Sequence, residues 1–336
     1  MCNMKKISII GAGAFGFALA KIIGDKHSKK EIFIFDVVKE YIESIKTTGQ
    51  HPVFHPDTKL ADHIVATHSL AEAVDNACLI IMAVPSKFLR QSVRAIKPHL
   101  TKETIFLNLA KGLEAGSNKI MSKVINEELK GLKFQTASLS GGMIAREVTL
   151  QNPLCAEVAC PDIKVAEKII KIIENNRLRL EATTDLTGVE LAGAFKNVIA
   201  IGAGIFDGLG YGESSKSAFV SHTAKEMRRL AVALRAKRKT FGPGSQAWFG
   251  DLMTTCFGKS RNRELGELIG RGLAVDKALK KMAGEKKSVE GYLTAQAVYN
   301  LSQKHQVKAP LAELIYKILY QKMPPKKFID GFIKRW

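Results

Sequence analysis

Residues 7–16 read ISIIGAGAFG: a short apolar run of β-forming residues, glycines at Gly11, Gly13 and Gly16, and then the opening of a helical pattern. GxGxxG placed after a strand and before a helix reads as a dinucleotide-binding turn. Gly11 permits the tight turn, Gly13 lets a pyrophosphate approach the backbone, and Gly16 lets helix and strand pack closely. The free amides at the helix start, where Ala14 and Phe15 stand, then face the phosphates. Lys5-Lys6 ahead of the apolar run to Ala20 imitates a secretory signal peptide, but such a peptide has no reason to carry this glycine spacing.

Working outward, a second strand, IFIF at 32–35, ends at Asp36. A carboxylate there accepts hydrogen bonds from a ribose 2′-hydroxyl and repels a 2′-phosphate, which favours NAD and leaves NADP possible. The other reading of Asp36 is that it merely opens the next turn. A third strand, LIIMAV at 79–84, runs into Pro85, where proline ends it at the sheet edge that binds ligands in such folds. The fourth leads through NLAKGLE and delivers Lys111 beyond a buried strand, either as a site residue or as an ordinary surface residue of a turn.

Strands are expected at 6–10, 31–35, 79–84, 104–109 and 134–139, alternating with helices at 14–23, 70–74, 88–96 and 118–129. That alternation predicts an α/β domain with a doubly wound, mostly parallel sheet over residues 1–184. From 185 to 336 the strand signal is gone, and apolar residues at three- and four-residue spacing predict helices at 189–205, 217–236, 264–269, 294–304 and 311–320. No window reads as a membrane span. The five cysteines, Cys2, Cys78, Cys155, Cys160 and Cys256, are scattered without CxxC spacing, which fits a reduced, cytoplasmic protein without a metal site.

The net charge is +19, and residues 185–336 carry 26 basic against 13 acidic side chains. Such a field attracts nucleic acid, anionic membranes or small phosphorylated ligands. The basic residues are densest at 225–239 and 277–287 but interleave no aromatics and match no nucleic-acid module, so they read as solvated helix faces.

Within 191–206, LAGAFKNVIAIGAGIF, Lys196 and Asn197 are the only polar side chains. An ammonium in an apolar helix either snorkels to water or is paired or used, because burial costs it several kcal/mol of hydration. Burial also lowers a lysine pKa toward the range where it exchanges protons near neutrality.

Together these segments resemble the NAD(P)-dependent glycerol-3-phosphate dehydrogenase family, of the bacterial type. The matching pieces are IIGAGAFG, AVPS at 83–86, AKGLE at 110–114, LSGG at 139–142 with AREV at 145–148, GVELAGAFKNVIAIGAGIFDGLG at 188–210, EMRRL at 226–230, GDLMTTC at 250–256, SRNRELG at 260–266 and VEG at 289–291. They run in the family's order over almost the whole chain, and KNVIAI and SRNR are the specific ones. The resemblance implies a Rossmann domain, then an all-α domain like the 6-phosphogluconate dehydrogenase C-terminal domain, with the active site in a cleft between them. The implied activity is hydride transfer between NAD(P)H and dihydroxyacetone phosphate, giving sn-glycerol 3-phosphate for phospholipid synthesis, in a cytoplasmic homodimer.

By the same resemblance Lys196 is the general acid/base, Lys111 lies near substrate and nicotinamide, and Asn197 holds the reacting oxygen. Asp251 and Thr255 orient Lys196 and the substrate hydroxyls. Ser260, Arg261 and Asn262 hold the phosphate, Gly141 lines the substrate, and Arg263 faces solvent. Pro85, Ala145, Arg261 and Glu290 join the glycine turn, Asp36 and Lys111 around the cofactor. The chain departs from the pattern at Gly141-Gly142-Met143, where bacterial members read GPS; at Ala110 and Ala14, where serine is usual; and over 240–249, TFGPGSQAWF. Two other readings remain: a related β-hydroxyacid or 6-phosphogluconate-type dehydrogenase, and a nucleotide-responsive protein that binds nucleic acid or membrane. SRNR, suited to a phosphate on a three-carbon substrate, separates the first from the main reading.

Overall fold

The computed structural model describes residues 5–285 and 287–334, so Cys2 lies outside the described residues. Cα packing divides the chain into two compact units, one running to Ala110 and resuming over Met121–Leu186, the other made of Lys111–Ile120 and everything from Thr187 onward. A single cut after residue 184 therefore leaves out the excursion that carries Lys111 into the second unit.

In the first unit, strands and helices follow in the order β1 (Lys6–Ile10), α1 (Ala14–Lys26), β2 (Glu31–Phe35), α2 (Lys39–Thr48), β3 (Gln50–His51), β4 (His55–Lys59), β5 (Ile64–Thr67), α3 (Leu70–Val74), β6 (Leu79–Met82), α4 (Ser86–Ile96), β7 (Thr104–Asn108), α5 (Met121–Glu128), β8 (Phe134–Ser140), α6 (Ala145–Thr149), β9 (Leu154–Ala159), α7 (Ile163–Ile173) and β10 (Leu178–Thr183). Eight of the strands form one sheet in the order β10-β9-β8-β7-β6-β1-β2-β5, and β3 and β4 form a separate hairpin. Among the described residues, only the β8–β9 pairing in this sheet is antiparallel. Period-two alternation sends Ile7 and Ile9 into one buried layer with α1 and α7, and Ile10 into another with Ile80, Met82 and α4. Both faces are covered, as the β-branched composition of the central strands requires. β1 pairs with β2 on one side and β6 on the other, so the strand order reverses at β1, where such sheets bind ligands.

The second unit is helical: α8 (Leu186–Gly208), α9 (Glu213–Ala233), α10 (Asp251–Phe257), α11 (Arg261–Gly270), α12 (Val275–Gly284), α13 (Glu290–Lys304), α14 (Pro310–Gln321) and α15 (Pro325–Lys334). α8 is long and apolar enough to cross a membrane by length and composition, against the expectation that no segment is, but its apolar stretch is buried at the centre of this unit's core. Its glycines decide what packs on it. A Cβ at Gly204 would run into the carbonyl oxygen of Arg263, and one at Gly266 into that of Ile201, so α8 and α11 touch backbone to backbone. α14 begins where Glu226 of α9, itself buried, accepts hydrogen bonds from the amides of Leu311 (3.0 Å) and Ala312 (3.2 Å), which α14 itself leaves without partners.

Gly204→Ala forces the two helices apart and is expected to destabilise the protein by about 1–3 kcal/mol, the usual scale of overpacking. A urea titration followed by circular dichroism reads this as a lower midpoint; an unchanged midpoint contradicts the backbone contact.

Candidate active site

In the first unit the turn between β1 and α1 is shaped by exclusion. Gly11 has φ +109°, and a Cβ there would meet Ala83 O at 2.7 Å, so no other residue fits. A Cβ on Gly13 would meet nothing within 4 Å. Gly13 is also the N-cap of α1 and supplies no side-chain cap, which leaves the first amides of the helix, at Ala14 and Phe15, for a bound anion. Asp36 follows β2, and its carboxylate accepts hydrogen bonds from the amides of Ala12 (2.7 Å) and Val38 (2.9 Å). It fastens the glycine turn as well as opening the next one, and lone pairs remain for a ribose hydroxyl. Pro85 caps α4 just past β6, and Ala145 is the first residue of α6. Gly141 stands beyond β8, where a Cβ would meet that of Ala156 at 2.6 Å; Met143, in place of the family's hydroxyl, is buried. An open glycine, free helix amides and an acceptor at the end of β2 fit a dinucleotide.

The second unit gathers the charged residues. Lys196, on α8, is 7% exposed; it donates to Thr255 Oγ1 at 2.8 Å and pairs with Asp251 Oδ1 at 3.1 Å. The other oxygen of Asp251 takes Lys111 Nζ at 2.7 Å, with the Lys111 side chain 21% exposed. Asp251 and Thr255 stand four apart on α10 and face the same way, and Thr255 Oγ1 donates in turn to Asp251 O at 2.6 Å. One carboxylate, 2% exposed, is thus shared by two ammonium groups.

Burial is the largest influence on the Lys196 amine and pushes its pKa below the ordinary lysine value, with Lys111 adding to the fall and Asp251 opposing it. For Asp251, burial would raise the pKa, but Lys111 and then Lys196 outweigh it and hold the carboxyl below the usual aspartate range. The neighbouring thiol of Cys256 is pushed up to about 12 by burial, which leaves it no nucleophile.

Asn197, expected to hold the reacting oxygen, is bonded on both sides of its amide. Its amide nitrogen donates to Lys111 O (2.9 Å) and Gly193 O (3.3 Å), and its oxygen accepts from Asn262 Nδ2 at 2.9 Å. Both N–H groups bind the scaffold, and Asn197 ties the Lys111 segment to α8. Asn262 in turn accepts from the amide of Gly291 at 2.9 Å, and a Cβ on Gly291 would lie 2.6 Å from Asn262 Oδ1 and 2.7 Å from Asn197 O. The VEG motif is thus a close approach as well as a carrier of Glu290, which begins α13.

Ser260 caps α11 by accepting from the amide of Arg263 at 3.4 Å, and Arg261 is exposed at the helix's first position. Arg263 does not face solvent as expected: its side chain, 23% exposed, is ion-paired to Asp207 at 2.6 Å and donates to Gly258 O at 2.9 Å. Asp207 and its second partner, Lys216, went unnoticed in the sequence. The one signal for them was charge at the end of an apolar helix.

Both halves of the chain match known proteins. Residues 6–166 match the family described as NAD-dependent glycerol-3-phosphate dehydrogenase N-terminus, and residues 185–330 match its C-terminus. Proteins named glycerol-3-phosphate dehydrogenase [NAD(P)+] are 35% identical over 99% of this chain and 98% of their own length in Clostridium botulinum, and 37% identical over 99% and 97% in Listeria innocua. The crystal structure of glycerol-3-phosphate dehydrogenase from Coxiella burnetii superposes with a TM-score of 0.89, at 27% identity and 98% coverage of both chains.

Asp251→Asn leaves two ammonium groups without a counter-charge, and at neutral pH is expected to cost about 3–5 kcal/mol of stability. A lysine whose folded pKa lies below its unfolded value of 10.5 carries the full penalty while protonated in both states, and sheds it as pH rises from the folded value toward the unfolded one. Lys196 falls further in the variant, so its urea midpoint is expected to recover, relative to the parent, as pH rises into the alkaline range toward 10.5. The parent instead loses the Asp251 contribution on the acid side, as pH drops from the ordinary 3.8 through the lower folded value. A variant midpoint that stays level with the parent's across the alkaline window contradicts the pairing.

Proposed function

The chain belongs to the NAD-dependent glycerol-3-phosphate dehydrogenase family, and from that premise we propose that Lys196 is the proton donor and acceptor in its interconversion of dihydroxyacetone phosphate and sn-glycerol 3-phosphate. The observation that carries this reading is the buried amine of Lys196 on Asp251 and Thr255, with Lys111 on the same carboxylate.

Reducing a ketone needs a hydride at carbon and a proton at oxygen. When bound, the reduced nicotinamide supplies the hydride. Lys196, as the ammonium, gives its proton to the carbonyl oxygen as negative charge develops there, and as the amine it reclaims that proton from the alcohol in the reverse direction. Both forms must be accessible, and the opposed influences of Asp251 and of burial with Lys111 serve that balance. Thr255 and Asp251 fix the direction of Nζ, which limits the freedom lost on reaching the transition state. Lys111, more exposed than Lys196, is the cation placed to meet the substrate. Arg261 and Ser260, at the start of α11, take the phosphate with the helix's first amides. Asn262 contributes through the N–H not given to Asn197.

Gly11, Gly13, Gly16, Ala14, Phe15 and Asp36 would hold the dinucleotide, with Pro85, Ala145, Lys111, Arg261 and Glu290 around it. Asp36 favours NAD, since its carboxylate repels a 2′-phosphate. The same reading makes the protein a cytoplasmic homodimer that feeds glycerophospholipid synthesis.

NADH oxidation with dihydroxyacetone phosphate tests the proposal, and Lys196→Ala is expected to lower kcat by about 10²-fold or more while leaving NADH affinity nearly intact. Turnover in that variant within a few-fold of the parent contradicts the assignment. Asp36→Ala is expected to shift preference toward NADPH in paired assays and to weaken NADH, because it also frees the amide of Ala12. A parent enzyme that already prefers NADPH overturns the Asp36 argument.

A further inference from the structure

We propose that Asp207, Lys216 and Arg263 are positioning residues that set the phosphate grip of this site without touching substrate, an inference that rests on the reading of Ser260–Asn262 given above. Asp207 lies in the last turn of α8, and its two oxygens take Arg263 Nη1 at 2.6 Å and Lys216 Nζ at 2.8 Å. Lys216, on α9, is 3% exposed, with Glu213 Oε1 at 3.0 Å and the ring of Phe257 beneath it, its centroid 5.1 Å away. Burial alone would lower the Lys216 amine; Asp207 and Glu213 reverse that and hold it above the ordinary lysine value.

Arg263 joins this anchor to the turn that carries the grip. Its Nε donates to Gly258 O at 2.9 Å, just past α10, while its backbone amide is capped by Ser260 Oγ at 3.4 Å in the first turn of α11. Arg263 therefore meets Gly258 through its guanidinium and Ser260 through its backbone amide, and the guanidinium is fixed to Asp207 of α8. Two cations face two carboxylates, so the network neutralises Arg263 and leaves Arg261 as the exposed guanidinium at the helix start. The backbone contact at Gly204 removes slack between α8 and α11, so Arg263 cannot reach Asp207 from another register. An ion pair that only held the fold would need no fork reaching back to Gly258. The fork is what links the pair to the orientation of Ser260 and Arg261.

Arg263→Lys separates these roles, because it keeps a cation on Asp207 but cannot serve Gly258 O and Asp207 together. In the full-length enzyme it is expected to raise KM for dihydroxyacetone phosphate about tenfold or more, the scale of losing an outer partner of a binding group, with kcat within about threefold of the parent. Inorganic phosphate binding, read by calorimetry without turnover, weakens by a similar factor. Asp207→Asn gives the same split, and Asp207→Asn with Arg263→Lys is no worse than either alone, as expected of residues acting as one unit. Phosphate affinity and KM within about twofold of the parent in both single variants, with only a lower melting temperature, overturn the proposal and leave the network a stabilising ion pair. Failure of the underlying reading looks different: the parent enzyme itself would not turn over dihydroxyacetone phosphate.

Discussion

Asp251 is one carboxylate with two ammonium groups on it, and much of the second unit is arranged so that this sharing persists. A buried lysine without a partner would lose its charge or its place. Asp251 keeps Lys196 chargeable, whereas Lys111 and the apolar surroundings keep that charge easy to give up. The group that accepts Lys111 is the group that steadies Lys196, so anything that moves residues 111–120 moves the proton balance of the amine. Those residues are held by more than the ion pair: Leu113 and Ile120 sink into the core around α8, and Asn197 binds the backbone of Lys111.

Close backbone packing is the second constraint. α8 supplies Lys196 and Asn197 from its buried middle and presents glycines where other elements must come near. Gly204 and Gly266 bring α11 onto it, and Gly291 brings α13 onto Asn197 and Asn262. The result is a short chain of amide contacts, Lys111 O to Asn197 to Asn262 to the Gly291 amide, that ties three separate stretches of sequence to one helix. A site built on such contacts is stiff, which suits chemistry that needs an amine held within a fraction of an ångström.

The parts legible in the sequence were those with a local signature. β1, the glycine turn and β2 stood out because apolar alternation and glycine spacing are read within a few residues. Strands of mixed polarity did not: β10, LRLEAT, exposes every second residue of its first half, and β5 is four residues long, so neither rises above its surroundings. The short β3–β4 hairpin was missed for the same reason, and β9, LCAEVA, because Glu157 interrupts its apolar run. Lys196 announced itself by being charged in an apolar helix. The destination of Lys111, the commitment of the Asn197 amide and the pairing of Arg263 with Asp207 depend on residues 56 to 140 positions away, and periodicity carries no information about them.

The most direct test of the account is the titration of the Lys196 amine itself. In protein carrying ¹³Cε-lysine, followed by NMR against a Lys196→Met control that identifies its signal, the Lys196 signal is expected to titrate below the ordinary value of 10.5 and to rise when Lys111 is replaced by methionine. A Lys196 signal that titrates with the surface lysines, indifferent to Lys111, would contradict it.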